Sequence, residues 1–269
     1  MSGPDPLRPD EARVTAALAR AAVYRVLADA FAYPTAAGLA RLSQRARTAS
    51  AQPTLGAGVR GALTALAEVA AATDAATLGG EYTFLFDRQV RCAPYESAYG
   101  TAPQLAGKPA LLADLAGFYH AFGLAPGSRE AELEDHIAAE CEFMSALALK
   151  EAWAHGAGAA EGVDVARAAS ARFLAEHLGR WAPRFADELQ AASPLPYYAA
   201  AGDLLRLWVA EEAARFGVEL ERDTRRLPPD PVEAEEAFTC PLAPPEADDA
   251  APPAGLVAPR ASPPETDVR

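Results

Sequence analysis

Between residues 9 and 217 the apolar side chains of this chain recur three or four positions apart, and no stretch sustains a period of two. That pattern removes most architectures at once, because a sheet with one buried face needs alternation along its strands. Hairpin signals such as Asn-Gly are absent as well. The expectation is an all-α fold, a globular bundle of about eight or nine helices.

Punctuation residues divide the pattern. A first helix is expected over 10–31, with Val14, Leu18, Ala21, Ala22, Arg25 and Ala28 on one face and Val23, Tyr24 and Leu27 beside it. Tyr33-Pro34 ends it, since a residue before proline is pushed out of the helical region. Thr35 caps a second helix running to 47, and helices over 55–72 and 74–87 follow, the latter capped by Asp74. Pro94, Pro103, Pro109, Gly100 and Gly107 make 88–109 a long irregular connection, of a kind often tied to function. Helices resume over 110–122, 129–153, 163–190 and 197–216, with Ser128 as a cap and Gly123 and Gly217 as stops. Trp153, Trp181 and Trp208 are expected to anchor the core.

Composition changes at residue 227. Prolines crowd 227–269 among acidic residues, and Phe238 is its only aromatic. Such a segment buries too little apolar surface to offset its ordering entropy, so a disordered tail is expected after a helical domain spanning 1–226. Residues 238–242 form a small apolar island within it.

The chain carries 24 Lys and Arg against 37 Asp and Glu, a formal charge of −13. Phosphate backbones need clustered cations, so nucleic acid is not expected as a partner. A basic partner, or solubility alone, fits equally well. Cys92, Cys141 and Cys240 are scattered, with no C-x-x-C, which speaks against a disulfide framework, a zinc site or haem attachment and for a reducing compartment. Residues 1–10 lack the apolar core of a signal peptide, and the longest apolar stretch, 110–124, is interrupted by Asp114 and His120. No membrane insertion is expected, and the cytoplasm is the expected location.

Two short patches concentrate the aromatic, acidic and histidine side chains. In the first, Tyr82, Leu85 and Phe86 fall at i, i+3 and i+4, and Pro94-Tyr95-Glu96-Ser97 follows in the loop. The stripe serves either as core or as the wall of an apolar groove beside a mobile acidic loop. In the second, Glu132, His136 and Glu140 are spaced i, i+4, i+8, with Phe143 continuing that face. Leu133, Ile137, Cys141, Met144 and Ala148 line an adjacent apolar face. The polar face is either a surface ion-pair ladder or a groove edge where Glu132 and Asp135 accept from a guanidinium. Flanking carboxylates are expected to favour the charged imidazole of His136.

Catalytic signatures are missing. G-x-S-x-G and H-E-x-x-H are absent, and no histidine has a glutamate three residues before it, as a di-iron bundle requires. The run 100–108 ends in Gly-Lys but has the wrong spacing for a phosphate loop. His120, His155 and His177 read as ordinary helical histidines. No cofactor and no metal are expected. A hydrolase or lyase using His136 with Glu132 or Glu140 stays open as a second reading, and a stably bound assembly adaptor as a third.

The chain resembles the TorD/DmsD (NarJ-like) family of molybdoenzyme maturation chaperones. Tyr82-x-x-Leu85-Phe86 is similar to that family's Y-x-x-L-F helix end, and Pro94-Tyr95-Glu96-Ser97 to the segment in its following loop. Glu132-Leu133-Glu134-Asp135-His136 is similar to its E-P-x-D-H hinge, with Leu133 in place of the proline. The similarity runs over roughly 24–207. It implies a TorD-like bundle with sub-parts near 9–123 and 128–218 joined by a hinge. It implies a cytoplasmic protein, monomer or dimer, that performs no catalysis. The implied partner is the apo catalytic subunit of a molybdopterin oxidoreductase of the dimethyl sulfoxide reductase class, held at its twin-arginine leader or a nearby segment. Binding would aid cofactor insertion and prevent premature export. The implied client-binding residues are Tyr82, Leu85, Phe86, Pro94, Tyr95, Glu96, Ser97, Glu132, Asp135, His136 and Glu140.

Overall fold

Helix α1 (Pro9–Phe31) packs most extensively on the later helix Ile137–Gly156. The computed structural model describes residues 9–88, 91–100, 104–124, 133–220 and 224–226. Within α1, Val23, Tyr24, Val26 and Leu27 are fully buried although they point in different directions around the helix, the mark of a central element. Helix α2 (Ala36–Ser50) starts where the Thr35 hydroxyl accepts from Gly38 N at 3.0 Å. Helix α3 (Ala57–Ala72) follows. Helix α4 (Ala75–Tyr82) is capped by Asp74, whose carboxylate accepts from Thr77 N at 2.8 Å. It continues as a wide π turn over Thr83–Arg88.

After the loop come α5 (Gln104–Ala121), α6 (Ile137–Gly156) and α7 (Ala160–Phe173). A second π turn, Leu174–Leu178, leads into α8 (Gly179–Ala192), and α9 (Pro196–Phe216) ends at Gly217 with φ +68°. The all-α expectation holds: among the described residues there is no strand, and the isolated bridges Tyr95–His136 and Tyr99–Arg226 are the sheet-like pairings. Residues 1–230 form one compact unit.

Several boundaries differ from the sequence reading, each for a local reason. Helix α5 begins at Gln104 and contains Pro109, so part of the expected irregular connection is helical. A proline in its second turn forfeits one backbone bond, a cost that packing offsets. The helix expected over 129–153 begins only at Ile137, because His136 is its cap. Ser128 and Glu132 lie outside the described residues, as does the tail 227–269. The helix expected over 163–190 is widened by the second π turn. There a Cβ on Gly179 would meet Leu174 O at 2.3 Å, so the turn needs a residue without a side chain. Leu18 (46% exposed) and Arg25 face outward, so the face assigned to α1 is partly solvent-facing, and its buried side centres on Tyr24 and Leu27. Trp181 and Trp208 are core anchors, whereas Trp153 is 72% exposed.

One polar network runs through the apolar interior. The buried Arg20 guanidinium on α1 bonds Glu212 on α9 at 2.9 Å and also Glu151 on α6. Tyr24 Oη donates to Glu212 at 3.3 Å. Arg215 and Arg167 pair with the same two carboxylates from α9 and α7, at 2.9 and 3.1 Å. Four helices are thereby tied at one end of α6. Removing the cation would take from two buried carboxylates their buried partner and leave each only a partly exposed arginine, the costly case for an ion pair. Arg20→Ala is expected to lower stability by about 3–5 kcal/mol, seen as a lower urea midpoint with an unchanged slope.

Candidate functional site

Residues 91–100 fold back along the turn that precedes α6, and backbone hydrogen bonds join the two segments. Glu96 N donates to Asp135 O at 2.8 Å, Ile137 N to Pro94 O at 2.9 Å, and Ser97 N to Asp135 Oδ2 at 3.2 Å. Tyr95 and His136 pair as an antiparallel bridge, and their rings meet edge to face at 5.2 Å. The loop is also held from its other side. Cys92 N donates to Leu85 O at 3.3 Å, Tyr99 Oη to Ala93 O at 3.0 Å, and the Tyr99 ring stacks on Trp181 at 5.3 Å. A mobile loop was expected here; the pairing of its backbone explains why it is pinned instead.

The turn at 133–136 closes with His136 N donating to Leu133 O at 3.0 Å. Leu133 is 41% exposed and precedes the helix, so it does not share the buried face of Ile137, Cys141, Met144 and Ala148. Tyr119 Oη on α5 donates to Glu134 O at 2.7 Å. His136 is buried, and its Nδ1 accepts from Ala138 N at 3.1 Å, so the imidazole serves as the N-cap of α6. His136 precedes the helix, so it does not extend the helical face of Glu140 as expected.

Behind this turn lies a buried acidic cluster. Glu96, Asp135 and Glu140 are 5%, 0% and 0% exposed. Both carboxylate oxygens of Glu140 accept from Trp181 Nε1 at 3.2 Å, and its side chain is also hydrogen-bonded to Glu96. Burial pushes the Glu140 carboxyl well above the usual carboxylate range, and the charges of Glu96 and Asp135 push it the same way. Two carboxyls that share a hydrogen bond need a proton between them. Glu96 Oε2 also bonds His177 Nδ1 at 3.0 Å, and Phe118 and Phe173 wall that imidazole at 5.3 and 5.0 Å. The surface ion-pair reading of Glu140 is therefore corrected: this carboxyl is interior.

The structure brings Pro94, Tyr95, Glu96, Ser97, Asp135, His136 and Glu140 into one region. Tyr82, Leu85 and Phe86 are core residues, with Phe86 against Tyr82 at 4.8 Å and Tyr198 at 5.7 Å. Phe86 reaches the acidic cluster through Phe185 and Trp181. Glu132 lies outside the described residues. Sequence reasoning missed Tyr119, His177 and Trp181. A signal existed for two of them: Phe173, His177 and Trp181 sit at i, i+4, i+8, so a histidine on an aromatic helix face was bound to be buried and to need a partner.

The open surfaces lie elsewhere. A groove of about 410 Å3 between α1 and α2 is floored by Leu18, Ala19 and Ala22 and edged by Arg25 and Arg45. A second, about 620 Å3, runs along α4 between Tyr33, Gly79 and Phe84.

The model of the nitrate reductase delta subunit family matches residues 52–187, a span that holds the whole acidic cluster. The selenate reductase assembly chaperone protein of Thauera selenatis is 31% identical over 201 residues, covering 74% of this chain and 90% of its own. The chain belongs to this family. The chlorate reductase assembly chaperone protein of Ideonella dechloratans is 28% identical with the same coverage. The perchlorate reductase assembly chaperone protein of Dechloromonas aromatica (strain RCB) is 34% identical over 110 residues, 41% of this chain and just under half, 48%, of that relative. Membership agrees with the resemblance read from the motifs. No described helix is long and apolar enough to cross a membrane.

The raised Glu140 pKa has a signed consequence. The folded protein keeps a proton that the unfolded chain releases above about pH 4–5. Stability from this group is thus complete below that range and is lost as pH rises toward the folded value. Glu140→Gln mimics the protonated carboxyl and is expected to flatten this slope. Thermal unfolding from pH 5 to 8 should show the native protein losing Tm relative to the variant.

Proposed function

We propose that this protein is a maturation chaperone for a molybdopterin oxidoreductase of the dimethyl sulfoxide reductase class. It binds the apo catalytic subunit at its twin-arginine leader or a nearby segment, aids cofactor insertion, prevents premature export, and then leaves. The observation that carries this is the likeness over 201 residues to relatives named as reductase assembly chaperones. The reading places the protein in the cytoplasm and gives it no catalytic role.

Physical features support it. A net charge of −13 complements the basic start of a twin-arginine leader, and the open apolar grooves offer surface for its apolar middle. The client-binding role proposed for Tyr82, Leu85, Phe86, Pro94, Tyr95, Glu96, Ser97, Glu132, Asp135, His136 and Glu140 takes a particular form, because most of the described side chains among them are interior. Pro94, Tyr95, Glu96, Ser97, Asp135 and His136 hold residues 91–100 against the turn at 133–136, and direct contact of these groups with a client follows only if the two segments part.

The raised Glu140 carboxyl is the one observation that favours a hydrolase or lyase, since perturbed groups collect at catalytic sites. Against it, His136 is committed to capping α6, and Glu140 faces Trp181 and Glu96 instead of a nucleophile.

The test is a titration of the full chain with the leader peptide and with the apo form of a catalytic subunit of a molybdopterin oxidoreductase from the same organism. Saturable binding is expected, weaker in high salt. Asp135→Asn should weaken it about 10-fold, roughly 1.4 kcal/mol, with helical content unchanged. Absence of saturable binding to both leader and apo-subunit removes the proposal. Persistence of the protein in the purified mature enzyme would instead make it an adaptor subunit.

A further inference from the structure

The unexplained feature near the acidic cluster is the outer nitrogen of His177. The residue is 2% exposed, and its Nε2 is buried without a hydrogen-bond partner among the described residues. That atom is aimed at Asp114 Oδ2, 3.4 Å away on α5. One ligand atom each from Asp114, Glu176 and His177 lie within 4.8 Å of one another.

The inner nitrogen determines what the outer one can do. Nδ1 is 3.0 Å from Glu96 Oε2, and Glu96 is itself buried at 5% exposure. A carboxylate accepts from Nδ1–H, which leaves Nε2 with its lone pair pointing outward. A metal-ligating histidine is commonly oriented this way, with its second nitrogen donating to a buried carboxylate. Here the outward lone pair faces two carboxylates, an arrangement that repels unless a metal cation stands between them or Nε2 itself takes a proton. We propose that His177, Asp114 and Glu176 bind one divalent transition-metal ion of the zinc type.

The geometry needs little adjustment. Ligands about 2.0–2.2 Å from a metal stand roughly 3–4.4 Å apart, against 4.8 Å at most here. One imidazole and two carboxylates suit Zn2+, Co2+ or Mn2+, and water completes the shell because the Asp114 and Glu176 side chains are 55% and 45% exposed. Glu176 uses Oε2 to accept from Arg172 Nε at 2.8 Å, and a carboxylate has a second oxygen to offer. The site joins α5 to the second π turn. Through Glu96 it also reaches the loop paired with the turn at 133–136, so metal occupancy would stiffen that junction. The proposal stands on this geometry and is independent of the chaperone reading.

The experiment uses the full untagged chain in a Cys240→Ser background, so that this thiol cannot supply the ligand. Chelator-stripped protein is titrated with Co2+ followed by visible absorption, and with Zn2+ followed by equilibrium dialysis. One ion per chain is expected, with a rise in Tm on Zn2+ addition. Asp114→Asn with Glu176→Gln changes two exposed residues and should weaken binding at least about 100-fold; Glu96→Gln should weaken it about 10–100-fold. Equal binding by the native and doubly substituted chains overturns the proposal. So does an imidazole 15N spectrum in which both His177 nitrogens are protonated and indifferent to excess Zn2+, which would make the residue an imidazolium bridge between Glu96 and Asp114.

Discussion

The junction of residues 91–100 with the turn at 133–136 buries three carboxyl groups in one place, and the surrounding structure answers that burden. A carboxylate removed from water costs several kcal/mol unless charge and hydrogen bonds compensate it. Glu96, Asp135 and Glu140 are compensated differently. Glu140 has a raised pKa and takes one forked bond from Trp181, Asp135 takes the Ser97 amide, and Glu96 takes the His177 ring and Glu140. Each partner comes from a different element, so the cluster can form only when α6, α8, the second π turn and the loop are all in register.

Helix α6 links this cluster to the rest of the interior. Its first turn carries Glu140, and three turns later Glu151 joins the Arg20 network with α1, α7 and α9. The two polar networks lie at opposite ends of one helix, separated by an apolar middle that includes Cys141, Met144, Leu147 and Ala148. Such an arrangement permits the two ends to respond to different events. The Arg20 end is closed by ion pairs, while the Glu140 end gathers three buried carboxyls, of which burial raises the Glu140 pKa.

Much of the fold was legible because the signals were local. The caps at Thr35 and Asp74, the stop at Gly217 and the absence of alternation all act within a few residues, and each appears as expected. The motif residues were legible as a group, though not as interior groups. Glu140 and His136 fall four apart, which reads as one exposed helical face only if the helix includes both. His136 instead caps α6, and that choice turns Glu140 inward. His177 was passed over because its partner, Glu96, is remote in sequence.

The sequence by itself determined the helical class, most helix ends and the family, because period, caps and motif order are properties of neighbouring residues. Only the tertiary structure decided which side of each helix faces inward and which distant groups meet. The bond between Glu96 and His177 spans 81 residues, and that between Arg20 and Glu212 spans 192. No local pattern encodes such pairings: they follow from how desolvation and packing sort the faces of whole helices against each other.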